Sequence, residues 1–275
     1  MEFPISKEIV SAEWLHNHIN DPDLIVLNAT IPKVDQVGDT LADNQIPNGV
    51  FFDLKNTFSD TSAPFPNTVP KEEQFQREAR NLGINKNSFI VVYDELGMYS
   101  SPRAWYLFKA FGHDNVAVLD GGLPAWLQKG YATEKIKDKK GLKGNIEASY
   151  RPQYFIDLEA LQKLDTNEGK VILDARSSAR FRCEVPEPRK GLRSGTIPGS
   201  KNLPFTELME NGLLKPEKEL NDIFENVSNK DGHLIMSCGS GITACILALG
   251  AFVSGRENIS VYDGSWTEYG SLIKP

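Results

Sequence analysis

Several things are scarce in this sequence, and each scarcity excludes something. No apolar run approaches the 18 or more residues that read as a membrane-crossing helix. The first residues, Met1-Glu-Phe-Pro-Ile-Ser-Lys7, show neither a basic start leading into an apolar stretch nor an Arg-rich segment, so no targeting leader is expected. There are three cysteines, Cys183, Cys238 and Cys245, an odd number with no CxxC spacing. That argues against a disulfide framework or a zinc site. The four histidines, His16, His18, His113 and His233, match no metal-ligand pattern. Positive charge is in deficit, with 30 Lys plus Arg against 37 Asp plus Glu and a net charge of −7. Phosphate binding is driven largely by Lys and Arg, so neither nucleic acid nor an anionic membrane is an expected partner. The expectation is a cytoplasmic, soluble monomer with reduced thiols.

What is present is ordinary globular composition, 40% hydrophobic and 24% charged over 275 residues. That length suffices for about two domains, each with a real core. The chain is written twice. Phe89-Ile-Val-Val-Tyr93 leads to Asp94, a small-residue loop, an apolar helix from Pro102, the run Val116-Ala-Val-Leu119, Asp120-Gly-Gly122 and Trp126. His233-Leu-Ile-Met236 leads to Ser237, Cys238, a small-residue loop, an apolar helix from Thr243, the run Ile259-Ser-Val-Tyr262, Asp263-Gly-Ser265 and Trp266. Asp94 and Cys238 stand 144 residues apart, Trp126 and Trp266 140. Ile46-Pro47 and Ile197-Pro198 repeat in the same order. Two tandem homologous domains follow. Residues 133–149, rich in Lys, Glu, Asp and Gly, read as an exposed linker. The division is 1–138, a linker over 139–152, and 153–275. Within each half, short apolar runs alternate with helical patterns, clearest over 71–82 and 218–227. The fold class is α/β, each half a parallel sheet flanked by helices. In such sheets ligands bind where strands end and helices begin.

The segment Ser237-Cys238-Gly239-Ser240-Gly241-Ile242-Thr243-Ala244 lies at such a place. Its glycines allow positive φ and close backbone approach. A small loop of this kind turns successive N–H groups inward as an anion-binding nest, reinforced by the helix start that follows. A negatively charged sulfur would be stabilised there, which suits a Cys238 nucleophile; the plainer alternative is a Cys packed at a strand end. A cysteine phosphatase needs Arg six residues after its Cys, and here that residue is Ala244. Sulfur transfer through a persulfide remains. Cys245 reads as helix core and Cys183 as an exposed thiol. Between 176 and 193 stand Arg176, Arg180, Arg182, Arg189, Lys190 and Arg193, against Glu184 and Glu187. From residues alone this is either an anion pocket or a solvated basic face.

These motifs resemble the two-domain rhodanese-type sulfurtransferases, and within them the branch that takes sulfur from 3-mercaptopyruvate. The carrying residues are Cys238-Gly-Ser-Gly-Ile-Thr243, Val261-Tyr-Asp-Gly-Ser-Trp266, Asp174-Ala-Arg176, Arg180-Phe-Arg182, Glu187-Pro-Arg189, and in the first half Tyr93-Asp94-Glu95 and Ser101-Pro-Arg-Ala-Trp105. The resemblance spans nearly the whole chain. It implies a Cys238 persulfide held by Gly239, Gly241, Ile242 and Thr243, with Arg180 and Arg189 binding the substrate carboxylate. It implies pyruvate release and a thiol, thioredoxin-like or cyanide acceptor, without metal or organic cofactor. The first half is implied to be silent, with Asp94 in the place of Cys238. Ser240 reads either as a proton relay or as a small turn residue. Thiosulfate-preferring members carry basic residues after the Cys, where this chain has Gly239 and Ser240, so thiosulfate is the rival donor; a persulfide carrier is the rival class. The chain also departs from the family, with Asn44-Gln-Ile-Pro-Asn48 and Gly195-Thr-Ile-Pro-Gly199 lacking His. A His that some members place near the Cys falls at about Asn67, which puts a Ser–His relay in doubt.

Overall fold

The computed structural model describes residues 8–33, 43–136, 143–164 and 169–274. They form two compact units. The first holds β1 (Ile9–Val10), α1 (Ala12–His18), β2 (Leu24–Asn28), β3 (Val50–Phe51), α2 (Glu72–Asn81), β4 (Phe89–Tyr93), α3 (Ser101–Ala110), β5 (Val116–Leu119) and α4 (Gly122–Gln128). Its sheet has the order β1-β5-β4-β2-β3, parallel throughout. The second holds β6 (Phe155–Ile156), α5 (Leu158–Gln162), β7 (Lys170–Asp174), α6 (Ser178–Phe181), β8 (Lys201–Asn202), α7 (Glu217–Glu225), β9 (His233–Ser237), α8 (Ala244–Val253), β10 (Ile259–Tyr262) and α9 (Ser265–Leu272). Its order, β6-β10-β9-β7-β8, is the same topology, again parallel. The two-domain parallel α/β architecture read from the repeat is the one observed.

The strands are apolar without alternation because both faces are covered. Val26, Val91, Tyr93, Ala117 and Leu119 turn to one face, with Leu15 of α1 and Leu123 and Trp126 of α4. Ile90, Val92, Val116 and Val118, on the other parity, are also fully buried. In the second unit Ile172, Ile235 and Tyr262 pack with Leu161 of α5 and Trp266 of α9. The helices divide by pattern. In α2 and α7 only Phe75 with Ala79 and Leu220 with Phe224, spaced i and i+4, are buried. In α3 every residue is buried, and in α8 all from Ala244 to Ala251.

Two segments sit otherwise than chain order suggests. Residues 143–151, expected to belong to the linker, hydrogen-bond along the first unit: Gly144 N–H donates to Arg80 O (2.8 Å), Ile146 to Ile84 O (3.1 Å) and Arg151 to Ala110 O (2.7 Å). Ile146 is buried, and a Cβ on Gly144 would fall 1.9 Å from Ile84 O, so this backbone approach admits only glycine. The rest of the expected linker up to residue 142 lies outside the described residues. Residues 61–68, although early in the chain, group with the second unit.

In the first unit Asp94 follows the central strand β4. Its carboxylate accepts from the N–H of Leu96 (2.9 Å), Ser100 (2.9 Å) and Ser101 (2.8 Å) and from Ser101 Oγ (2.8 Å), and it is fully buried. The loop is an anion nest filled by its own side chain. A buried donor left unsatisfied costs about 1–3 kcal/mol. Asp94→Ala is therefore expected to destabilise the protein by at least about 2 kcal/mol, read as a lowered urea midpoint; an unchanged midpoint would show that water replaces the carboxylate without cost.

Candidate active site at the carboxyl edge of the second sheet

The strand register assembles this site. β9 lies between β7 and β10, with Ser237 opposite Asp174 and Met236 opposite Val261. In a parallel sheet all carboxyl ends share one edge, so Asp174–Arg176, Cys238 and Asp263–Ser265 emerge side by side. Cys238 is 1% exposed. The start of α9 clasps its loop: Trp266 N–H donates to Cys238 O (3.0 Å), and Thr267 donates to Gly239 O through both its N–H (2.9 Å) and its hydroxyl. The C=O and N–H of a trans peptide point opposite ways. With both carbonyls turned to α9, the N–H groups of Gly239 and Ser240 point away from it, as an inward-facing nest requires.

Ser265 completes the clasp. Its Oγ accepts the Cys238 N–H (3.1 Å), donates to Tyr262 O (2.9 Å) and lies 3.9 Å from Cys238 Sγ. Its φ of 50° is a left-handed conformation that a non-glycine residue holds only under constraint. The matching residue of the first unit, Gly122, has φ 55°, and the next N–H, that of Leu123, donates to Asp94 O (3.0 Å). The repeat alignment of Gly122 with Ser265 was the signal that could have found this residue.

Of the two loop glycines, Gly241 has φ 77°, and at Gly239 a Cβ would lie 3.0 Å from Arg180 Nη2. The Arg180 guanidinium therefore rests against the Cys238 loop. Ser240 carries two bonds from Asn67, whose Nδ2 donates to Ser240 O (3.0 Å) and Ser240 Oγ (3.1 Å). Ile242 and Thr243 lead into α8, their carbonyls accepting the N–H of Cys245 and Ile246 (both 3.1 Å). Cys245 Sγ donates to Gly241 O (3.4 Å) within the core, and Cys183 is exposed.

Arg180 is held by an ion network that composition did not reveal. Arg180 Nη2 donates to Glu187 Oε2 (2.6 Å), and Arg176 Nη1 to Glu187 Oε1 (2.6 Å). Arg176 in turn reaches both oxygens of Asp174 through Nε (3.0 Å each) and Oδ2 through Nη2 (2.7 Å). Its guanidinium also lies 4.9 Å from the Trp266 ring. The Asp174, Arg176 and Glu187 side chains are at most 1% exposed, and Arg180 is 25% exposed. Burial alone would lower the Arg176 pKa, but Asp174 and Glu187 outweigh it and the pKa is raised. Arg180 Nε is buried without a hydrogen-bond partner among the described residues. Arg189, two residues beyond Glu187, is partly buried on the same loop.

The structure thus gathers Cys238, Gly239, Ser240, Gly241, Ile242, Thr243 and Arg180 about one edge. Sequence reasoning did not single out Asp174, Arg176, Glu187 or Ser265 as site builders. His233 opens β9, at the end away from Cys238, and the other three histidines belong to the first unit. Among the described residues no group of three or more His, Cys, Asp or Glu could hold a metal, and no helix is long and apolar enough to cross a membrane.

The model of the rhodanese-like domain matches residues 11–129 and again 157–272, so the chain belongs to the rhodanese-like family. Relatives that match nearly its whole length are named sulfurtransferases. Thiosulfate/3-mercaptopyruvate sulfurtransferase 2 of Arabidopsis thaliana is 38% identical over 97% of this chain and 85% of its own. The 3-mercaptopyruvate sulfurtransferase of Escherichia coli K12 is 37% identical over 95% and 94%. The crystal structure of the Escherichia coli enzyme SseA superimposes with a TM-score of 0.84 at 34% identity, covering 95% of this chain and 99% of that one.

Removing one partner of a buried ion pair costs about 3–5 kcal/mol, because a charge stays behind uncompensated. Asp174→Ala is expected to destabilise the protein by about that amount in urea unfolding. A loss below about 1 kcal/mol would mean that Glu187 alone suffices to hold Arg176.

Proposed function

We propose that this protein is an enzyme that takes sulfur from 3-mercaptopyruvate onto Cys238 and passes it to a thiol acceptor, releasing pyruvate. The observation that carries the reading is Arg180, a partly exposed guanidinium resting against the Cys238 loop. A carboxylate is a natural match for an Arg fork. The loop itself is neutral at Gly239 and Ser240, which favours a donor with one carboxylate over dianionic thiosulfate.

In the proposed reaction the Cys238 thiolate attacks the sulfur of 3-mercaptopyruvate. The carbon–sulfur bond breaks, and its electron pair leaves as the enolate of pyruvate. The proton carried by the substrate thiol ends on the enolate carbon, so pyruvate departs and Cys238 holds a persulfide anion. The N–H groups of Gly239 and Ser240, turned away from α9, and those that follow to Thr243 are the donors this reading assigns to that anion, a preorganised charge stabilisation. Arg180 and Arg189 hold the carboxylate. Ser240 Oγ, with a lone pair engaged by Asn67, keeps its proton for the substrate oxygen. A thiol or a reduced thioredoxin-like dithiol then attacks the outer sulfur and restores the Cys238 thiolate; cyanide would leave as thiocyanate. No step calls for a metal or organic cofactor. A reducing compartment, the cytoplasm, and a monomer suit this chemistry, with neither nucleic acid nor membrane as partner.

The test compares pyruvate release from 3-mercaptopyruvate plus a thiol with thiocyanate formation from thiosulfate plus cyanide. Cys238→Ser is expected to abolish both. Arg180→Gln is expected to raise KM for 3-mercaptopyruvate tenfold to a hundredfold, the roughly 1.5–3 kcal/mol of one charged hydrogen bond. Preference for thiosulfate would assign the rival donor, and turnover of neither by a folded protein would favour a persulfide carrier.

A further inference from the structure

Ser240 stands half-buried in the Cys238 loop, and its side chain bonds to Asn67. Asn67 lies in the run Pro64-Phe-Pro-Asn67-Thr-Val-Pro70, whose prolines limit the freedom of the backbone. Residues 64–68 of that run group with the second unit, so the contact lies within one compact body. Asn67 has φ 62°, a left-handed conformation that Asn tolerates better than most residues, and Thr68 Oγ1 closes the turn on Phe65 O (2.9 Å). The direction of the bonds to Ser240 follows from chemistry. The Ser240 carbonyl can only accept, so the Asn67 amide must turn Nδ2 toward it (3.0 Å). The same nitrogen meets Ser240 Oγ (3.1 Å) and can only donate there too. Ser240 Oγ is thereby the acceptor, and its own proton is left to point elsewhere. An amide does not ionise, so this bond does not reverse.

We propose that Asn67 is a positioning residue that fixes Ser240 as a hydrogen-bond donor toward the keto oxygen of the sulfur-donating substrate. The inference rests on the reading of Cys238 as the acceptor of sulfur from 3-mercaptopyruvate. As the carbon–sulfur bond breaks, negative charge grows on that oxygen. A donor already aimed there stabilises the transition state more than the ground state. A serine hydroxyl otherwise turns to suit whichever acceptor is near. With one lone pair engaged by Asn67, it has fewer directions left for its proton. Asn67 acts through Ser240 rather than on the substrate. Its bond to the Ser240 carbonyl also holds the loop backbone, and this structural share is separable from the share that passes through Oγ.

Asn67→Gly removes the amide and suits the backbone, because glycine adopts a positive φ freely. It is expected to lower kcat for 3-mercaptopyruvate about threefold to tenfold, the worth of one neutral hydrogen bond, with a smaller change in KM. In the Ser240→Ala background the same substitution is expected to cost less than about twofold, because the hydroxyl it directs is gone. The bond to the backbone carbonyl of residue 240 is still there to be lost in that background. A purely structural role for Asn67 therefore predicts equal losses with and without the hydroxyl. Equal losses, or an unchanged kcat in Asn67→Gly, overturn the proposal. Should Asn67→Gly fail to fold, Asn67→Asp carries the same comparison. Its carboxylate takes the hydroxyl proton, and the loss is again expected to shrink in the Ser240→Ala background.

Binding separates failure of this inference from failure of the catalytic reading. Oxalate resembles the enolate of pyruvate, with a carboxylate beside a charged oxygen. In the Cys238→Ser background, calorimetry is expected to show Asn67→Gly weakening oxalate about threefold to tenfold, and pyruvate, whose carbonyl is neutral, by less. Absence of any turnover with this difference intact sinks the catalytic reading and leaves Asn67 its role. Brisk turnover of 3-mercaptopyruvate with equal losses in the two backgrounds keeps the catalytic reading and sinks the role given to Asn67.

Discussion

Both halves of this protein depend on one backbone contact. The first N–H groups of the last helix bond to the carbonyl that follows the central strand, Leu123 to Asp94 and Trp266 to Cys238. The contact fixes the plane of the next peptide, and so decides which way the loop's N–H groups face. A side chain cannot perform this task with the same economy, because the direction of a peptide N–H is set by the carbonyl bonded to the same nitrogen. The strained φ of Ser265 is what the turn requires to bring α9 into position. Glycine satisfies the same turn at Gly122; Ser265 accepts the strain and returns a hydroxyl that reaches Cys238.

Around that contact the second unit has added charge. Arg176 rises from the end of β7, is fixed by Asp174 and lies against Trp266. Glu187 then links it to Arg180 and the Cys238 loop. The chain of bonds runs from a sheet strand to an otherwise irregular loop. It explains how a helix of only four residues, Ser178–Phe181, can hold a guanidinium in place. The buried pairs are poor evidence of stability in themselves, since desolvation offsets most of their attraction. Their value lies in direction, because Arg180 has few other places to go.

Much of the fold was legible in the sequence. Continuous apolar strands alternating with helices, repeated at one offset, specify parallel sheets covered on both faces. The Cys238 loop was legible because its small residues sit between a buried strand and an apolar helix. What stayed hidden has a common cause: contacts that leave no periodic trace in the sequence. Glu187 looks like any acidic residue in a basic segment until Arg176 and Arg180 close on it. Gly144 looks like a linker residue until the carbonyl of Ile84 stands against it. Asn67 precedes Ser240 by 173 residues, and no spacing rule joins them. Ser265 alone had a readable sign, through its partner Gly122.

The carboxylate of Asp94 has a consequence for what this position can hold. It accepts from four donors at the place where the other half presents a thiol. A loop in this state is committed. A cysteine placed at position 94 would strip those donors of their acceptor, so a thiol there would come at a cost in stability. In the first unit the residue at the end of the central strand is a structural keystone, its carboxylate holding the loop closed from within.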